Sequence, residues 1–224
     1  MITFGTVRQA RRRWLRRGFA LIVDTFEQEA EAVARDGPDA VDEALWYAPL
    51  ATIWRGAADD ANTYTRQALD AGKGILDIDG AAGEIRRRTI RAARQITAAT
   101  RDTLLELAAI SADVFVDLAD QYTEWLGTRA LTLADAQAVA ATAYGQHATA
   151  AAERGLFHEW RTQGDNRVRS THAAANRQRV PIDQPFNVGG ALLRFPADPD
   201  GPPAEVINCR CWETYVRPRQ RRRV

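Results

Sequence analysis

Apolar residues recur at helical spacing through most of the chain and change to strand spacing only near its end. Val7, Trp14, Ile22, Phe26, Ala30 and Val33 form one stripe, which predicts a single helix from Val7 to Ala34. Gly37-Pro38 closes it and opens the next, since Pro is favoured at an early helical position. Asp39 to Leu69 keeps the helical period, with a break or kink expected at Pro49, and Trp46, Tyr47 and Trp54 read as core bulk. Ala71-Gly72-Lys73-Gly74 is a loop without the pattern of a phosphate-binding loop. A third helical region runs from Gly83 to about Leu126, with a break expected near Thr100 and core positions from Leu104 to Leu118. Thr132-Leu133-Ala134-Asp135 has the form of a capping box and would open an Ala-rich helix ending near Ala152, with His147 incidental on it.

From Arg179 the period shortens. Phe186-Asn187-Val188, Gly189-Gly190 and Ala191 to Phe195 predict a β-hairpin with a two-residue glycine turn. Val206-Ile207 and Cys211 to Val216 read as short strands, with Trp212, Thr214 and Val216 on one face. The pattern therefore predicts an α+β fold: an elongated helical region over residues 1–130, a small helix-plus-β-hairpin module over 131–217, and a basic tail over 218–224.

Composition adds little to this picture, but charge adds a direction. The chain has 224 residues, is 46% hydrophobic and carries a net charge of +1, with a mean hydropathy of -0.37. Residues 151–224 hold 13 basic and 8 acidic side chains, whereas residues 1–150 hold 17 and 21. Every cation except Lys73 is Arg. Arg8, Arg11, Arg12, Arg13, Arg16 and Arg17 crowd the start of the first helix, against its macrodipole, so an anionic surface should offset them unless they form a solvated face. Arg86, Arg87, Arg88, Arg91 and Arg94 read as a second solvated or partner-facing edge. Arg217, Arg219, Arg221, Arg222 and Arg223 close the chain without an acid among them and are candidate contacts for double-stranded DNA, bound without base specificity. No apolar run approaches the ~20 residues of a membrane helix, and the short run Gly18 to Val23 is too brief for a signal peptide's core. A cytoplasmic origin is expected.

The candidate chemistry lies between Trp160 and Cys211. Gln163-Gly164 should end one element and Asp165 cap the next, placing Asp165, Arg169 and His172 on one helix face at spacings of four and three. Cys209 and Cys211 are too close in sequence for an unstrained disulfide. Three readings of this cluster stay open. His172, Cys209 and Cys211 could ligate zinc, with Asp165 as a fourth ligand. They could form a structural cluster, the thiols buried beside Trp212 and His172 hydrogen-bonded. Or Cys209 could act as a nucleophile with His172 as its base. The structural reading is the expectation, without catalysis; a thiol or zinc hydrolase is the alternative.

The order Trp160, Gly164-Asp165, Arg167-Val168-Arg169, His172, Val180-Pro181-Ile182-Asp183, Pro185-Phe186, then Ile207-Asn208-Cys209-Arg210-Cys211 resembles the phage Mu F-like minor head, or head-morphogenesis, family over roughly residues 131–216. Where that family has a glycine shortly after the His, this chain has Ala173 to Gln178, and Asn176 is expected to supply the left-handed turn. The resemblance implies a minor protein of the virion, made in the host cytoplasm and placed in the capsid interior near the portal. It implies the phage portal protein, packaged DNA and the major capsid protein as partners, no membrane, and a part in head assembly and genome packaging or ejection.

Overall fold

The computed structural model describes residues 4–69 and 81–217; the loop expected at Ala71 to Gly74 and the tail arginines Arg219, Arg221, Arg222 and Arg223 lie outside the described residues. The fold is α+β and 68% helical. Helix α1 spans Phe4–Asp36, followed by a 3-10 turn at Pro38–Ala40; α2 spans Ala44–Leu69, α3 Ala82–Ile110, α4 Val114–Gly127 and α5 Arg129–Ala151. Strand β1 (Phe157–Arg161), the short helix α6 (Ser170–Ala175), β2 (Arg179–Pro181), β3 (Phe186–Val188), β4 (Ala191–Leu193), the single turn α7 (Pro203–Val206) and β5 (Trp212–Val216) follow. No described helix is long and apolar enough to cross a membrane.

Contacts group the chain into two compact units, each assembled from separated stretches: 13–55 with 82–138, and 1–12 with 56–81 and 139–224. In the first, Ile22, Phe26, Trp46, Leu50, Ile53 and Leu104 are fully buried. Glu29 is buried among them, accepting from the Trp46 indole at 2.9 Å and the Tyr122 hydroxyl at 3.1 Å. Burial raises its pKa, and the two hydrogen bonds only partly offset that. Trp46 and Trp54 are 0% and 1% exposed, the core bulk expected of them, and Trp125 is 6% exposed.

Several boundaries differ from the expected ones, each for a local reason. Pro49 does not break α2. It is the sixth helical residue, so its missing N–H costs one early hydrogen bond. The third helical region breaks at 111–113, where Asp113 caps α4 by accepting from Val116 N–H; Thr100 is buried mid-helix and returns its hydroxyl to Ile96 O at 2.8 Å. Thr132 caps nothing: α5 starts at Arg129, and the Thr132 hydroxyl bonds Thr128 O inside the helix. Arg88 leaves the expected basic edge, burying itself over the Trp54 ring with Glu84 Oε1 at 2.7 Å. Between the buried Leu104 and Leu118, Leu105, Ile110, Phe115 and Val116 are exposed, not core.

In the second unit α5 is buried on every face from Val139 to Gln146. Gly145 lies against α2 so closely that a Cβ would sit 2.4 Å from Ala58 O. A three-stranded antiparallel sheet has the order β2-β1-β5, with β1 central and His158 opposite Tyr215. β3 and β4 form the expected hairpin, Val188 opposite Ala191, and Gly189 and Gly190 take φ of 60° and 89°, the left-handed pair a tight hairpin turn requires. Val206-Ile207 is not a strand; Val206 ends α7. On β5 the buried position is Glu213, opposite the face shared by Trp212, Thr214 and Val216.

Candidate functional site

Two buried polar centres sit in the module. The first forms where α6 meets the loop between α7 and β5. Helix α6 turns His172 and Ala175 inward. Asn208, at φ 57°, reverses the chain after α7, and the extended stretch behind it points Cys209 and Cys211 inward with Arg210 between them facing out. Both cysteines are free, at 3% and 2% exposure. His172 Nδ1 lies 3.4 Å from Cys211 Sγ and 3.8 Å from Cys209 Sγ. Its Nε2 lies 3.0 Å from Glu205 Oε2, close enough for an ion pair though not aligned as a hydrogen bond, and Thr171 donates to the same oxygen at 2.8 Å. Trp160 packs edge-on to the imidazole at 5.5 Å. Trp160 thereby joins this centre, an aromatic that the sequence did not place there.

Three guanidinium groups hold the cysteine loop by its backbone or its Arg. Arg11 is buried and donates to Cys211 O at 2.8 Å, so this member of the α1 basic row serves the interior. Arg169 donates to Ile207 O. Arg210 forms a bidentate pair with Asp165 at 2.6 and 2.8 Å and reaches Gln163 at 2.7 Å. Asp165, Arg169 and His172 therefore do not share a helix face. Residues 165–169 are turns, α6 begins only at Ser170, and the exposed Asp165 accepts from Arg167 N–H as an Asx turn does. The Arg210 hydrogen bonds hold the Asp165 carboxyl below its usual range. Asn176 keeps an ordinary φ of −59° at the end of α6; Arg177 takes the left-handed conformation instead, at φ 68°.

The two thiols are pushed in opposite directions. Hydrogen bonding from Cys211 draws the Cys209 pKa well down against its burial, with His172 adding to the effect. The same partnership, with burial, pushes Cys211 up. Burial pulls His172 down, but the Cys209 sulfur outweighs it and the net direction is up. The surface over this centre has a hollow of only about 10 Å³, room for a single water.

The second centre was not visible in the sequence. His158 is fully buried on β1, with Nδ1 2.9 Å from Glu213 Oε2 and Nε2 2.9 Å from Gln184 O. Both ring nitrogens thus face oxygen atoms, one of a buried carboxylate and one of a backbone carbonyl. His147, set aside as incidental, lies 3.5 Å from the other Glu213 oxygen, which also accepts from Tyr215 at 2.5 Å. Burial works to raise the Glu213 pKa, but His147 and His158 prevail and bring it down to about 2. Tyr215 moves up through burial and the neighbouring carboxylate.

The family model for Phage Mu protein F like protein matches residues 59–214, and the chain belongs to that family. Membership makes it a phage head-morphogenesis protein. The match opens within α2, well before the start near residue 131 expected for the resemblance, and takes in both buried centres. No curated protein and no solved structure matches the chain significantly.

Proposed function

We propose that this protein joins the phage head at the portal, docking through the exposed apolar corner between α3 and α4 and lying against packaged DNA through its arginines. The corner carries the docking reading. Ile110 is 83% exposed, Phe115 64%, Val116 53% and Leu105 45%, a concentration that scattered surface residues do not explain. Interfaces draw on such aromatic and aliphatic anchors, and a head-morphogenesis protein has other head components to meet. Phe115→Asp and Ile110→Asp are expected to leave the melting temperature nearly unchanged, since both side chains are exposed. Both should abolish co-purification with the co-expressed portal protein of the same phage. Full co-purification of both variants would move the docking site elsewhere.

The DNA contact rests on Arg8, Arg12, Arg13, Arg16 and Arg17, all exposed along α1, together with the terminal arginines. Arg217 is already engaged in part, 3.3 Å from Glu153. Neutralising five phosphates gives a log–log salt slope of about −4 to −5 on duplex DNA. Deleting residues 217–224 should flatten that slope, and a slope unchanged by the deletion removes the tail from this role. Burial of both thiols supports a structural use of the Cys–His centre over an enzymatic one.

A further inference from the structure

We propose that His172 Nδ1 and the Cys209 and Cys211 thiolates bind one zinc ion, with a water completing the tetrahedron. In a tetrahedral site with Zn–S near 2.3 Å and Zn–N near 2.0 Å, sulfur and nitrogen stand about 3.5 Å apart. The two Sγ–Nδ1 distances are 3.4 and 3.8 Å, and all three ligand atoms lie within 4.8 Å of one another. Metal-binding histidines usually present their second nitrogen to a carboxylate, which fixes the ring and its tautomer. Glu205 stands at that nitrogen, itself anchored by Thr171. Asp165 is not a ligand, because its carboxylate is taken by Arg210. The fourth direction opens to the water-sized hollow bordered by Gln163, Arg169 and Asn208.

Charge points the same way. Two thiolates and a neutral imidazole around Zn²⁺ make a neutral assembly, which a buried position favours over separate ions. Binding takes one Zn²⁺ and releases two protons to solvent, leaving two thiolates and a neutral imidazole as ligands. In the other His-rich centre both nitrogens of His158 already stand 2.9 Å from oxygen partners, Glu213 and Gln184 O.

The test uses the full chain expressed with zinc in the medium and freed of loose metal by gel filtration. Elemental analysis should find one zinc per chain. Exchange for cobalt(II) should give thiolate-to-metal charge-transfer bands and the intense visible bands of a tetrahedral ion. Cys209→Ser and Cys211→Ser should each lose the metal. Should either fail to fold, Glu205→Gln decides, because it leaves all three ligands in place. Its zinc affinity, measured against a chromophoric chelator, should fall about 10- to 100-fold. Metal-free wild type after zinc-supplemented growth overturns the proposal. So does stoichiometric metal in a folded Cys209→Ser variant, or a Glu205→Gln affinity equal to that of wild type.

Discussion

Glu213 is buried outright and its carboxyl pKa is still held down to about 2, because His158 stands at one oxygen and His147 at the other. Glu213→Gln keeps the shape and removes the charge, leaving His158 and His147 without the carboxylate they face. Breaking a buried pair in this way costs about 3–5 kcal/mol, which urea unfolding would register as a lower midpoint at unchanged slope. The pH dependence has a definite sign. The folded carboxyl titrates at about 2, below its unfolded value near 4.3. Its contribution is therefore complete above pH ~4.3 and is lost as pH falls toward 2. Melting temperatures across that window should fall more steeply for wild type than for Glu213→Gln. Nothing at this scale could be read in advance for this centre: His158 and Glu213 are 55 positions apart, and a Glu within a strand pattern reads as solvent-facing. The Cys–His centre was legible because its members are rare in this chain and lie close to one another in it. Its outer partner Glu205 was not, since an acid in a Pro- and Gly-rich loop carries no signal.

Elements with one buried face were read well. The stripe on α1 was legible, with Val7, Trp14, Ile22, Phe26 and Val33 buried as expected, because an amphipathic period survives wherever solvent covers the opposite face. The glycine-turned hairpin was equally plain, since two φ-positive positions leave little choice of residue. Helix α5 gave no such signal, being Ala-rich and buried all round from Val139 to Gln146. Its small residues are what permit the close approach of α2. Gly145→Ala should raise helix propensity by about 1 kcal/mol, yet the added methyl would meet Ala58 backbone atoms at 2.4 and 2.6 Å. Overpacking of about 1–3 kcal/mol or more prevails there, because a backbone cannot swing aside as a side chain can. Gly127→Ala, with nothing within 4 Å on α4, is the control and should be neutral or slightly stabilising. Chemical denaturation of the two variants should move their midpoints in different directions, or move only the first.

At the scale of the whole molecule, the chain does not fold in the order in which it is written. Each compact unit gathers stretches far apart in sequence, which no local pattern announces. The central strand β1 receives its neighbour β2 within some twenty residues, but its other neighbour, β5, is supplied only by Trp212–Val216. β5 also brings Glu213 to His158, and the loop before it brings both cysteines to His172. This arrangement has a consequence in time. On a ribosome adding roughly 5–20 residues per second, β1 emerges with a bare edge and with His158 lacking Glu213, and it waits several seconds for its partner. Nascent chains stalled with 205 residues outside the exit tunnel should be cut readily by protease at β1, and chains stalled with 217 outside should resist. An interrupted translation product would thus expose its own incompleteness, and only finished copies would be fit to compete for a place in a growing particle.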